Sequence, residues 1–139
     1  MATASASIDI PVPPDRVWQL IGGFGSLSDW NPSLKLELEE GGRVRHLVTP
    51  DGIVFVERLM AFDERGRSYS YGILQSPLPQ KDYLSTLRVE EIDGGKGSRV
   101  KWSGTFTPVG VSDAEISGIF QGVYDGGLKA LIEHFAREG

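Results

Sequence analysis

The chain has 139 residues, 40% of them apolar and 24% charged, with 14 Lys and Arg against 19 Asp and Glu for a net charge of −5. This composition excludes intrinsic disorder, and the scattered basic residues leave no electrostatic footprint for nucleic acid. Cysteine is absent, which excludes disulfides, thiol nucleophiles and Cys-ligated metals, and no apolar run approaches the ~18–20 residues that span a bilayer.

The segment from Thr3 to Ile10 is small and β-branched and predicts a first strand, ended by Pro11, Pro13 and Pro14. Pro14 suits the first turn of a helix, where its missing N–H is not needed, and Asp15 adds negative charge there. Val17, Trp18, Leu20 and Ile21 then make a short amphipathic helix that Gly22-Gly23 stops. A second short helix is expected from Ser26 to Trp30, closed by Asn31-Pro32.

From Leu34 onward the pattern becomes strand-like. Runs at Leu34–Glu39, Arg43–Thr49, Ile53–Asp63, Arg67–Leu74, Tyr83–Ile92 and Ser98–Phe106 are separated by Gly- and Asp-rich turns. Connections this short imply antiparallel neighbours. After Pro108 the period returns to that of a helix, expected from Ala114 to Arg137 and about 36 Å long at 1.5 Å per residue. Ile116, Ile119, Phe120, Val123, Gly127, Ala130, Leu131 and Phe135 fall largely on one stripe. Gly122, Gly126 and Gly127 weaken the helix by about 1 kcal/mol each relative to Ala. Such a run serves either tight packing on the sheet or room left for a ligand.

Seven antiparallel strands with one long helix to cover them predict an α+β helix-grip fold. A curved seven-stranded antiparallel sheet wraps around the C-terminal helix, with two short helices between strands 1 and 2. One helix cannot fill the concave side of such a sheet, so a cavity is expected between the two. Alternation turns Tyr71, then Tyr83, Ser85 and Leu87, then Trp102 and Phe106 to that side, since the opposite faces read Ser68-Ser70, Thr86-Arg88-Glu90 and Arg99-Lys101-Ser103. Buried Tyr and Trp need partners for their polar tips, which favours a lined cavity, although they serve equally as core filler.

The hairpin around Pro50-Asp51-Gly52 has two candidate registers. A three-residue loop pairs Thr49 with Ile53, Leu47 with Phe55 and Arg45 with Glu57. A two-residue loop sets Arg45 against Arg58. Charge selects the first. Composition leaves open which face of this hairpin looks inward, because Val44, His46, Val48, Val54 and Val56 are also largely apolar. Neither His46 nor His134 belongs to a metal-spacing motif, no Gly-x-Ser-x-Gly elbow or phosphate loop occurs, and no metal or cofactor is implied.

The element order, together with Pro13-Pro14-Asp15-Arg16-Val17-Trp18, Trp30-Asn31-Pro32, Gly41-Gly42-Arg43-Val44-Arg45, Glu57-Arg58-Leu59, Tyr69-Ser70-Tyr71, Leu78-Pro79 followed by Tyr83, and Val100-Lys101-Trp102-Ser103-Gly104, resembles the START and birch-pollen-allergen superfamily (SRPBCC), in its polyketide cyclase/dehydrase-like branch. The resemblance spans essentially the whole chain and implies one ligand-binding domain over residues 1–139. It implies a deep, mainly apolar cavity for a lipid- or polyketide-like molecule, with the Arg45–Glu57 face turned into it, Leu47, Phe55 and Leu59 beside that pair, and Phe120, Val123 and Gly127 on the helix opposite. Trp30 covers the mouth in this reading. Arg45 and Glu57 then either pin the hairpin as a buried salt bridge or orient a polar group of the ligand.

Three functions follow as alternatives. The first is binding of a hydrophobic or aromatic small molecule. The second is a cyclase- or dehydrase-type enzyme using Glu57 as acid/base with Arg45 and Tyr83 polarising a carbonyl. The third is a protein-interaction domain of the co-chaperone kind, which would present an exposed apolar patch instead of a cavity. Met1 to Ile10 lacks the charge and apolar core of a secretory signal, so a cytoplasmic protein is expected, as a monomer or a homodimer, without nucleic acid and not embedded in a membrane.

Overall fold

Nine residues of alternating small and apolar side chains open the computed structural model, which describes residues 1–138, as strand β1 (Ala2–Ile10). Helix α1 (Pro14–Ile21) begins on Pro14, a turn of 3₁₀ helix follows at Phe24–Ser26, and α2 (Leu27–Trp30) is a single turn. The strands are β2 (Lys35–Glu39), β3 (Val44–Val48), β4 (Val54–Asp63), β5 (Ser68–Gln75), β6 (Gln80–Ile92) and β7 (Gly97–Pro108), and the chain ends in α3 (Asp113–Glu138). All seven strands make one antiparallel sheet in the order β1-β7-β6-β5-β4-β3-β2. Among the described residues no helix is long and apolar enough to cross a membrane.

The helix-grip architecture expected from the sequence is present, with small shifts of boundary that have local causes. The second short helix is split, its first turn being 3₁₀ from Phe24 and only Leu27–Trp30 α-helical. Strand β6 starts three residues earlier than Tyr83, at Gln80, because a bulge lies between Lys81 and Leu84 with Asp82 at φ +55°. That bulge breaks the alternation by which a strand is recognised.

The β3–β4 hairpin adopts the three-residue loop. Arg45 pairs with Glu57 and Leu47 with Phe55, and Gly52 takes the left-handed position at φ +85°. The Thr49 N–H donates to the Ile53 carbonyl at 2.9 Å, and the Thr49 hydroxyl accepts from the Ile53 N–H at 3.0 Å. Helix α3 covers the β1 edge as well as the concave face. The Gln121 carboxamide donates to the Ser5 carbonyl at 2.7 Å and accepts from the Ser5 N–H at 3.3 Å, satisfying backbone groups that an edge strand would leave open.

The buried stripe of α3 is Ile116, Phe120, Tyr124, Gly127, Leu128, Leu131 and Phe135. The helix is rotated slightly from the expected stripe, so Tyr124 and Leu128 are inside and Val123 is 41% exposed. Two glycines let sheet and helix approach. A Cβ on Gly127 would sit 2.4 Å from Cζ3 of Trp102, and a Cβ on Gly104 would sit 2.1 Å from the Tyr124 hydroxyl.

Candidate functional site

The concave face divides into a solid half and a hollow half. Where α3 lies over β1 and β7 and meets the side chains of β6, aromatic rings fill the space. Phe106 is 4.6 Å from Phe120 and 5.9 Å from Tyr83 between ring centroids, and Trp102 stacks on Tyr124 at 5.2 Å. Toward β3 and β4 the sheet curls away from the helix and a cavity of about 330 Å³ opens. Its inner wall is built from Arg45, Leu47, Phe55, Glu57, Tyr71, Ile73, Tyr83, Trp102 and Phe120. Its rim is formed by exposed or half-exposed groups, with Asn31, Ser33, Thr49 and Pro50 on one side and Gly122, Val123 and Gly126 of α3 on the other.

Arg45, Glu57, Leu47, Phe55, Tyr71, Tyr83, Trp102, Phe120, Val123 and Gly127, named from the sequence as ligand-binding residues, all line this one cavity. Five others do not. Trp30 is fully buried beneath the cavity, its ring 6.0 Å from that of Trp102, and it forms core where a lid at the mouth was expected. Ser85, Leu87 and Phe106 are completely buried in the half that α3 packs solid. Leu59 opens instead onto a separate shallow groove with Trp18, Phe24 and Phe62. The β4 bulge between Leu59 and Ala61 places Leu59 at the end of the regular alternation.

Sequence reasoning missed Leu27, Asn31, Ser33, Leu34, Thr49, Pro50 and Ile73, which lie in loops, in α2 or on a strand next to the named positions. Only Ile73 carried a readable signal, since it shares the face of Tyr69 and Tyr71. The glycines of α3 separate into the two roles the sequence left open. Gly127 is a packing position, whereas a Cβ on Gly122 or Gly126 would meet nothing within 4 Å, so both leave open space at the rim.

The polar floor of the cavity is the Arg45–Glu57 pair. The Nε–H of Arg45 donates to Glu57 Oε1 at 2.8 Å. Its Nη1 donates to the Phe24 carbonyl at 2.9 Å and to the Tyr69 hydroxyl at 3.3 Å. The guanidinium lies 4.1 Å from the centroid of the Phe24 ring and 4.9 Å from that of Tyr71, so two π faces share its charge. Arg45 is 0% exposed and Glu57 6%.

Beside the pair runs a chain of phenols. The Trp102 N–H is shared between the Tyr71 hydroxyl and Ser85 Oγ, both at 3.1 Å, and Ser85 donates to the Ser103 carbonyl at 2.8 Å. The Tyr71 and Tyr83 hydroxyls are 3.4 Å apart, and those of Tyr83 and Tyr124 are 2.5 Å apart. Burial pushes the Tyr71 and Tyr83 phenols well above their usual range and raises Tyr124 too, so at neutral pH all three keep their protons and act as donors rather than bases.

Burial also pushes the Glu57 carboxyl up. The charge and hydrogen bond of Arg45 draw it back, and the net displacement is upward. A carboxyl whose pKa is higher folded than unfolded contributes stability fully below the unfolded value. It loses that contribution as pH rises from the ordinary glutamate range through the raised one. The stability advantage of the wild type over Glu57→Gln is therefore expected to shrink across that window in urea titrations at stepped pH. An advantage that grows with pH would show that attraction to Arg45 outweighs burial.

His46 stands outside the site on the opposite face of β3, its Nε2 at 2.9 Å from Glu39, and His134 faces Glu138 at 3.5 Å.

Comparison with known proteins agrees with this geometry. The family model described as polyketide cyclase / dehydrase and lipid transport matches residues 1–136. The protein XoxI from Bacillus cereus is 50% identical, with 98% of this chain and 96% of that one covered and a TM-score of 0.93. A START superfamily protein from Mycobacterium smegmatis shares the fold at 13% identity, full coverage of both chains (100% and 100%) and a TM-score of 0.79. An aromatase/cyclase from a Streptomyces species does so at 16% identity, 94% and 88% coverage and a TM-score of 0.73. A match over nearly the entire length, joined to a seven-stranded sheet gripping one C-terminal helix, means that this chain belongs to the polyketide cyclase / dehydrase and lipid transport family.

Proposed function

We propose that this protein binds a hydrophobic or aromatic small molecule in the cavity between β3–β4 and α3. The observation that carries this reading is the cavity itself, about 330 Å³, at the small end of the range that holds small ligands. Its walls are mostly aliphatic and aromatic, and one charged pair sits at the floor. The helix glycines at 122 and 126 support it, because each weakens α3 by about 1 kcal/mol and neither is needed for packing. The setting is cytoplasmic in this reading, and the acidic surface suits a carrier of small molecules better than a nucleic-acid partner.

The test is titration with the neutral apolar dye N-phenyl-1-naphthylamine, together with native mass spectrometry of protein purified from its own host. Saturable one-to-one binding is expected, and Gly126→Phe, which fills the rim, should weaken it at least tenfold without loss of helix signal. Binding that is unsaturable, or indifferent to that substitution, would sink the reading.

A catalytic role of the cyclase or dehydrase type is the second reading. It is supported by a carboxyl at the cavity floor whose pKa is displaced upward, beside tyrosines that keep their protons. It requires turnover of an enolisable polyketone that follows the titration of Glu57 and is lost in Glu57→Gln. Tight binding of such a compound without any turnover would leave only the carrier.

A further inference from the structure

Two charged groups line the cavity floor, and the structure makes them unequal. Arg45 has three guanidinium nitrogens. Nε is committed to Glu57 and Nη1 to Phe24 and Tyr69. Nη2 has no hydrogen-bond partner among the described residues, but it is sealed from the cavity with no accessible surface. The guanidinium packs against the Phe24 and Tyr71 rings. Arg45 is thus the counter-ion behind the floor and not a contact offered to a ligand.

Glu57 is the member of the pair that keeps exposure, at 6%. Its Oε1 takes the Arg45 hydrogen bond, and among the described residues nothing donates to Oε2. Unlike Arg45 Nη2, this oxygen keeps accessible surface on the cavity side, where a guest that carries a hydroxyl can supply the missing donor. Of the phenols nearby, Tyr71 accepts from the Trp102 N–H and Tyr83 is paired with Tyr124, and neither hydrogen-bonds to Glu57.

Charge decides the rest. Arg45 and Glu57 neutralise each other, so an anionic or cationic guest would enter the interior without a partner. A neutral O–H donor to a carboxylate makes a short, strong, charge-assisted bond at no such cost. The apolar body of the guest would lie among Leu47, Phe55 and Ile73 on the sheet and the Phe120 ring and bare backbone of Gly122 and Gly126 on the helix, walls that suit an apolar or aromatic body.

Resting on the ligand-binding reading above, we infer that the cavity selects neutral hydroxyarenes, with the ligand hydroxyl donating to the free carboxylate oxygen of Glu57.

Isothermal titration calorimetry at neutral pH with naphthalene, 2-naphthol and 2-methoxynaphthalene tests this. The last two share rings and an ether-like oxygen, but only the naphthol can donate. The wild type is expected to bind 2-naphthol about tenfold or more tighter than 2-methoxynaphthalene. In Glu57→Gln the carboxamide oxygen can keep the Arg45 bond, which turns the NH₂ toward the guest; it can donate to the oxygen of either probe, so the naphthol preference should be lost. The double replacement Arg45→Met with Glu57→Leu removes the charges together and should likewise erase the preference. Equal binding of the two oxygenated probes by the wild type, or a naphthol preference that survives in Glu57→Gln, overturns the assignment of Glu57 and leaves the apolar cavity standing. No binding of any naphthalene overturns both.

Discussion

Glu57→Ala is expected to lower the unfolding free energy by about 3–5 kcal/mol, the typical consequence of stripping one partner from a buried ion pair. The mechanism is specific. Arg45 is 0% exposed and gives its Nε–H to Glu57 at 2.8 Å, so the alanine leaves a fully buried guanidinium short of an acceptor, next to a new void. Two companions show that the hydrogen bond, more than the charge, is at stake. Glu57→Gln keeps an acceptor for Nε and should cost far less. Arg45→Met combined with Glu57→Leu removes both charges and should come close to the wild type, because well-packed apolar replacements of buried pairs are often neutral or stabilising. Urea denaturation of the four proteins reads all three values. If Glu57→Ala loses under about 1 kcal/mol, the pair is not the anchor of the β3–β4 hairpin.

Substituting two adjacent glycines of α3 by alanine should produce opposite signs. At position 126 the new methyl meets nothing within 4 Å, so the variant gains the helix propensity that glycine lacks, up to about 1 kcal/mol. At position 127 the methyl would come to 2.4 Å from Trp102. That ring cannot step aside easily, because its N–H is held by Tyr71 and Ser85 and its face by Tyr124. Overpacking of this kind costs about 1–3 kcal/mol, enough to outweigh the gain in propensity. Thermal unfolding should therefore rise for Gly126→Ala and fall for Gly127→Ala. Equal shifts would mean that α3 slides or rotates freely on the sheet, and the distinction between its packing and its rim glycines would disappear.

Much of the site follows from short-range chemistry. Like charges directly opposite each other in a ladder are destabilising, so Arg45 is favoured to face Glu57 rather than Arg58, and that pairing is observed. Strand alternation put Tyr71, Tyr83 and Trp102 on the concave face, where they line the cavity. The same rule could not tell Trp102 from Phe106, which share a face of β7, although one lines the hollow and the other is packed solid. Tyr124 escaped notice because a helix of 26 residues containing several glycines has a weak apolar stripe, and a small rotation exchanges Val123 for Tyr124.

Local periodicity and charge in the chain thus determined the strand and helix order, the hairpin register and the identity of the buried ion pair, since each depends on neighbours within one ladder or one helical turn. Only the tertiary structure decided that α3 packs over β1 and β7 and leaves the β3–β4 side open, that Arg45 is fully buried against aromatic rings, and that one oxygen of Glu57 has no donor among the described residues. Those outcomes depend on how far a twisted sheet curls from a helix that is more than 50 residues away in the chain from Glu57, a distance no local pattern encodes.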